Sequence, residues 1–212
     1  MNRLISTYGE YAIWQLSVRS LYQLAEFVVC QNHKHHTKGI GDNFQSEVLA
    51  VYKEELQYYE RSQTLIATTA DDQIIGSIRL MNWDREQPLP MQTYFNLSSF
   101  EKALPISTNI WHIGRFAVSA RAGASGLTLF KLLLLYAMRP VYESDNDLAL
   151  AECDNKLLRI MRLMGIQVQS IGESMEYLGS ETTPVYATRD GLTNFFSKNR
   201  WLMDRCTTVA IA

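Results

Sequence analysis

The sequence predicts an α/β fold in which strands alternate with helices, and three stretches predict it. The first is 111–138. WHIGRFAVSA is β-branched and aromatic without proline and reads as a strand, RAGASG is a loop of small residues, and LTLFKLLLLYAM has the length and leucine content of a helix. The second is a pair of β-rich runs, 64–69 and 73–81, joined by Ala70-Asp71-Asp72, a hairpin signal. The third is 147–165. DLALAEC reads as a short buried strand, Asp154 or Asn155 stands in the capping position, and Leu157, Ile160, Met161 and Met164 line one helical face that Gly165 ends.

The remaining elements follow in chain order. Residues 10–30 place Ile13, Leu16, Leu21, Leu24, Phe27 and Val28 near helical spacing, which predicts one amphipathic helix. Residues 31–43 are polar and glycine-punctuated and read as a loop. Its His33, His35 and His36 have no carboxylate or cysteine at ligand spacing, so solvated side chains are expected, not a metal site. A second helix is expected over 44–61, with Val48, Val51, Tyr52 and Leu56 inward and charges outward. Residues 82–107 carry Pro88, Pro90 and Pro105 and read as a long irregular segment with a short helix inside it. Pro140 is expected to stop the helix that begins at 127. Short strands are expected at 168–171, 175–178 and 184–188, then a closing helix over 190–201 and a frayed end from Arg205. The expected organisation is a single domain: helices in 1–61, a sheet core in 62–189, and a helix and tail in 190–212.

Composition narrows the function. A chain of 212 residues with 47% hydrophobic content can bury a sizeable core, and a formal charge of −2 offers no general basic surface for nucleic acid. Cys30, Cys153 and Cys206 are odd in number, with no C-x-x-C, which points to a reducing compartment and away from disulfides or zinc. The first residues contain no signal-type apolar region, and the apolar run near 132–138 is far short of the roughly 20 residues of a membrane span. A cytoplasmic protein without an integral membrane segment is the expectation.

Strand, small-residue loop and helix in that order make an anion cradle, because free N–H groups at a helix start, backed by its dipole, favour phosphate oxygens. The loop is not a Walker loop, since Gly126 is followed by Leu127 and Thr128 without lysine, and it lacks the spaced glycines of a dinucleotide fingerprint. RAGASG instead resembles the pyrophosphate loop of the GNAT acyltransferase superfamily, Arg/Gln-x-x-Gly-x-Gly/Ala. Arg121 and Gly126 match, and Ala124 stands where the first glycine is usual. WHIGRFAVS is similar to the W-E-(L/I)-S-R-F-(A/F)-V signature of acyl-homoserine-lactone synthases and long-chain N-acyl amino acid synthases. Trp111, Ile113, Arg115, Phe116, Ala117 and Val118 match, while His112 replaces the glutamate and Gly114 the serine. Upstream, Gly76-Ser77-Ile78-Arg79-Leu80 matches the family's G-x-x-R-L strand, and Asp42, Phe44 and Glu47 faintly echo its acidic stretch.

This resemblance, confined to about residues 65–165, implies a GNAT-like α+β fold: a central mixed, mostly antiparallel sheet flanked by helices. It implies acyl transfer from acyl-CoA, or from acyl-phosphopantetheine on an acyl-carrier protein, to a small amine or amino acid, with no metal. The alternative is a non-catalytic acyl-CoA-binding module on the same fold. Implied donor contacts are Arg121, the amides of Gly123, Ala124, Ser125, Gly126 and Leu127, the backbone near Val118, and Asn155 near the donor sulfur. Met91, Tyr94, Phe95 and Phe100 either cover the acyl chain or tuck the 82–107 segment onto the core.

His112, in the glutamate's slot, has an unperturbed pKa of about 6.5 and suits a base for the acceptor amine; a packed histidine is the other reading. Arg115 lies in an apolar strand and needs a carboxylate. The resemblance implies that it organises the site with Arg79. Its partner is Glu152, Asp84 or the carboxylate of an amino-acid acceptor. His112 and Arg115 are three apart and face opposite sides of a regular strand, so a β-bulge would be needed to bring them together. Tyr177 and Tyr186 are distant substitutes for the usual tyrosine acid. Cys153 has nothing beside it to make it a nucleophile.

Overall fold

A computed structural model describes residues 1–36, 43–177 and 180–208. The chain runs β1 (Arg3–Tyr8), β2 (Tyr11–Gln15), α1 (Leu21–His36), α2 (Phe44–Tyr58), β3 (Ser62–Thr68), β4 (Ile74–Trp83), α3 (Ser98–Ala103), β5 (Asn109–Val118), α4 (Gly126–Tyr142), β6 (Asp147–Asp154), α5 (Asn155–Leu163), β7 (Gln169–Ser170), β8 (Met175–Tyr177), β9 (Ser180–Thr188), α6 (Arg189–Asn199), α7 (Trp201–Asp204) and β10 (Thr207–Thr208). The α/β class and the mixed, mostly antiparallel sheet are as expected.

The chain divides into two compact units. The first comprises Met1–Arg79, Arg115–Tyr136 and Trp201–Ala212, the second Leu80–Gly114 and Ala137–Arg200. Strands β4 and β5 each contribute one part to each unit.

In the first unit β10, β1, β2 and β3 follow one another as antiparallel neighbours, and β4 lies beside β3. The residues expected to start an N-terminal helix are therefore strand. Tyr11 and Ile13 point inward at alternate positions of β2, and a turn of 3-10 helix at Val18–Ser20 separates that strand from α1. The spacing of Ile13, Leu16, Leu21 and Leu24 satisfies a helical period by coincidence. Over five residues a period of two is equally well met, and pairing with β1 and β3 decides it. Helix α1 packs Leu21, Leu24 and Val28 with Leu16 and Ile66, and Ala25 and Val29 with Val48 of α2. The expected loop over 31–43 is thus partly helix. His33 is buried, and its Nε2 lies 2.8 Å from Oε2 of Glu47, so the solvated reading fails for it. Asp42 lies outside the described residues, as do the surroundings of the His35 and His36 side chains.

Fraying does not set in at Arg205: Thr207 and Thr208 pair with Thr7 and Ser6 of β1. Leu56 is exposed, not inward, and Glu55, expected outward, is buried.

In the second unit β5 and β6 are parallel, with Asn109 opposite Asp147 and His112 opposite Leu150. Strand β9 runs antiparallel to β6 and carries β7 and β8. Within the long connection after β4, Met91, Phe95 and Leu97 are buried, and Phe100 packs on Tyr186 with ring centroids 5.1 Å apart. Met91 and Phe95 therefore tuck the segment down, whereas Tyr94 is exposed.

Helix α4 passes through Pro140 and ends at Tyr142. The proline lacks the amide that would bond the Tyr136 carbonyl, and the helix runs only to Tyr142 beyond it. Residues 120–142 are long and apolar enough to cross a bilayer by length and composition alone. Leu129, Leu132, Leu133, Leu135 and Val141 are fully buried within the protein, which is how a core helix comes by such a composition.

Candidate active site

Two clusters of polar side chains lie along β4, β5 and β6, one in each unit. In the first, Arg79 of β4 and Arg115 of β5 meet Glu54 and Glu55 of α2. Oε1 of Glu55 accepts from Nη1 of Arg79 at 2.5 Å and from Nε of Arg115 at 2.7 Å. Oε1 of Glu54 accepts from Nη2 of Arg115 at 2.6 Å and lies 3.6 Å from Nη1 of Arg79. Arg79 and Glu55 are 1% and 2% exposed, so neither charge is sustained by water. Two guanidinium groups and two carboxylates leave the cluster neutral. Burial works against the charge on Arg115, but Glu55 and Glu54 outweigh it and hold the guanidinium above its ordinary pKa. The Tyr58 ring faces Arg79 at 5.7 Å, and burial, then Glu54, raises the Tyr58 phenol pKa.

Arg115 has φ of 51°, a left-handed backbone that interrupts the strict alternation of β5. Its carbonyl is held by Oγ of Ser77 at 2.7 Å. A strained position pinned by a buried neighbour is an arrangement often found beside active sites.

The second cluster lies between β5 and β6. His112 is fully buried, and its Nε2 lies 3.0 Å from Oε2 of Glu152. The register explains the pairing. His112 stands opposite Leu150 in a parallel ladder, so Leu150 and, two residues on, Glu152 share its face. Nδ1 of His112 is buried with no hydrogen-bond partner among the described residues. Beneath it, Asp147 accepts from Nε1 of Trp111 at 2.8 Å, Nδ2 of Asn109 at 2.9 Å and Oγ of Ser144 at 2.8 Å. Burial alone would raise the Asp147 pKa, but these three bonds outweigh it and hold the carboxyl below its ordinary value.

After β5 the backbone forms a 3-10 turn over Ala120–Ser125 and enters α4 at Gly126. Gly123 breaks that turn with φ 54° and ψ −139°, a region left to glycine, and an added Cβ there would meet nothing within 4 Å. Arg121 lines a cavity of about 360 Å³ together with Lys34, Gln23, Gln31 and Phe44.

No protein-family model and no curated protein matches the sequence. Solved structures match the fold. The N-acyl amino acid synthase FeeM from uncultured soil microbes superposes with a TM-score of 0.58 at 15% identity, covering 89% of this chain and 96% of that one. The AHL synthase LasI superposes at 0.56 and 14% identity over 100% of both chains. A GNAT-family acetyltransferase from Staphylococcus aureus Mu50 superposes at 0.55 and 14% identity, covering 84% and 99%. The chain has a GNAT fold.

On this GNAT fold the strand–turn–helix expected at 111–138 is present, but several of its amides are engaged internally. The Arg121 amide donates to Oγ of Ser119 at 3.2 Å, the Ala122 amide to the Ser119 carbonyl at 3.0 Å, and the Gly126 amide to the Gly123 carbonyl. Gly126 is thus a capping donor here, and the expected row of bare amides is shorter than the sequence suggested. Val118 closes β5, and the next amide, of Ser119, is taken by the Ile75 carbonyl at 2.8 Å. Leu127 is exposed on the first turn of α4. The helix cap expected of Asp154 or Asn155 is Asp154, which accepts from the Leu157 amide at 2.6 Å, while Asn155 donates to Glu181 at 2.7 Å.

The expected partners of Arg115 are corrected. Asp84 accepts from the amides of Glu86 and Gln87, and Glu152 serves His112. Arg79 and Arg115 share a cluster with the protein's own Glu54 and Glu55. Those two residues are what sequence reasoning missed. The signal was present: Glu55 lies seven residues after buried Val48, on the inward stripe of α2, and a glutamate there requires an arginine. His112 and Arg115 engage different carboxylates. Tyr186 donates to Oε1 of Gln169 at 2.7 Å. Cys153 is buried, and burial, Glu152 and Asp154 push its thiol far above its ordinary pKa, consistent with an inert side chain.

Proposed function

We propose that this chain is an N-acyltransferase moving an acyl group from acyl-CoA or acyl-carrier protein to a small amine or amino acid, the two units serving as one cytoplasmic domain. The observation that carries the proposal is the pair of buried His112 on β5 with Glu152 on β6, His112 standing six residues before Val118 in the strand that leads into the turn opening α4. A proton-accepting pair and an anion-binding turn are the two things the reaction needs from protein.

The donor's phosphates take Arg121 and Lys34, which line the cavity, and amides of Gly123, Ala124, Ser125 and Leu127. Backbone N–H groups near Val118 hold the pantetheine arm and polarise the thioester carbonyl. The Arg79–Arg115–Glu54–Glu55 cluster fixes β4 and β5 against α2, and Asn155 is the residue assigned to the donor sulfur. His112 with Glu152 receives the proton of the acceptor ammonium, which is largely protonated at neutral pH and cannot otherwise attack.

A second reading, an acyl-thioester-binding module without turnover, is favoured by one observation. Both arginines that would grip an acceptor carboxylate are committed to Glu54 and Glu55. Incubation of the purified chain with decanoyl-CoA and a panel of amino acids and simple amines separates the two. Amine-dependent release of free thiol with formation of an amide supports the enzyme. Saturable decanoyl-CoA binding without thiol release leaves the binding module.

A further inference from the structure

The sequence puts a histidine where the related synthases carry a glutamate, and the fold puts a glutamate beside it from the neighbouring strand. We propose that Glu152, not His112, is the catalytic residue that meets the acceptor amine, and that His112 is a positioning residue behind it. The inference rests on the acyltransferase reading above and assigns its proton acceptor.

Three observations carry it. His112 is 0% exposed, whereas the Glu152 side chain keeps 26% of its surface open. Only the carboxylate can be touched from outside the protein. Second, the hydrogen bond between Nε2 and Oε2 at 3.0 Å uses the nitrogen on the carboxylate side. Third, Nδ1 is buried without a partner among the described residues. An imidazolium would leave a buried N–H unsatisfied there, at a cost of about 1–3 kcal/mol, and the Nδ1–H tautomer would leave Glu152 without its donor. The neutral ring carrying its proton on Nε2 leaves only an unshared pair unsatisfied, the least costly of the three. In that tautomer His112 donates to Glu152 and fixes the direction of its carboxylate, the reverse of a histidine base oriented by an acid.

The step balances without further reagents. A carboxylate oxygen of Glu152 takes one proton from the acceptor ammonium. The freed nitrogen lone pair attacks the thioester carbonyl carbon, a C–N bond forms, and the tetrahedral oxyanion collapses with loss of the C–S bond. The second nitrogen proton goes to the leaving thiolate, giving free thiol, and Glu152 returns its proton to solvent.

The test uses the full chain with decanoyl-CoA and the best amino-acid acceptor, beside hydroxylamine, an acceptor already neutral at neutral pH. Glu152→Gln should lower kcat with the amino acid by about a hundredfold or more, the usual worth of a general base, with the donor KM unchanged. It should lose far less with hydroxylamine, and formate should restore turnover to Glu152→Ala. His112→Gln keeps an N–H for Glu152 and should retain more activity than His112→Leu. Full amino-acid turnover by Glu152→Gln overturns the inference while leaving the acyltransferase reading intact. So does equal loss with both acceptors and no formate rescue. Absence of thiol release by the wild-type chain with every amine overturns both. If Glu152→Gln does not fold, judged by its melting curve, formate rescue of Glu152→Ala and the contrast of His112→Gln with His112→Leu decide the matter.

Discussion

Nε of Arg115 donates to Oε1 of Glu55 at 2.7 Å, joining the left-handed residue of β5 to a carboxylate on α2 that is 2% exposed. The same oxygen also accepts from Arg79, so one carboxylate oxygen is shared by two guanidinium groups, and Glu54 supplies the second negative charge. Glu55→Gln should therefore destabilise the protein by about 3–5 kcal/mol, because it leaves Arg79 buried and uncompensated. Glu54→Gln should cost far less, since Glu54 is about one-third exposed and water can replace it. Urea unfolding midpoints of the two variants give the comparison; equal values would show that burial does not set the energetics of this cluster.

Gly123 should tolerate no side chain despite open space around it. With φ 54° and ψ −139°, Gly123→Ala should cost about 1–3 kcal/mol through backbone strain alone. Thermal denaturation reads this directly. A variant as stable as the parent would mean that the turn relaxes freely, and that Gly123 has no special geometry to offer a phosphate.

Asp147 predicts the acid limit. Its folded-state pKa is depressed, so its contribution is complete above the unfolded value of about 3.9 and is lost as pH falls through the lower folded value. Asp147→Asn should be less stable than the parent near neutrality, with the gap closing as pH drops below about 4. Melting temperatures of the two proteins measured down the acid range check it. A gap that stays constant would assign the cost to lost packing instead.

Reversal of charge in the cavity beside the turn tests the donor site. Arg121→Glu should weaken decanoyl-CoA binding at least about tenfold, by loss of one charge-assisted contact and gain of a repulsion. The binding should also weaken with salt in the parent and less so in the variant. Unchanged affinity in a titration would remove Arg121 and its cavity from the donor site.

Local signals fixed much of the fold in advance. The hairpin of β3 and β4, the passage from β5 through the small-residue turn into α4, and β6 leading to capped α5 are each set by residues within about 30 positions, where propensity, capping and turn chemistry act. The arginines at 79 and 115 were also legible, since a guanidinium in an apolar strand demands an acid. What the sequence could not decide was which acid. Arg115 reaches Glu54 across 61 residues, and His112 reaches Glu152 across 40. Such pairings are selected by strand register and helix packing, which no local pattern encodes. The same reason accounts for β1 and β2. Their short apolar repeats suit helix and strand alike, and only the neighbouring strands, supplying hydrogen bonds to an otherwise unpaired backbone, make them a sheet.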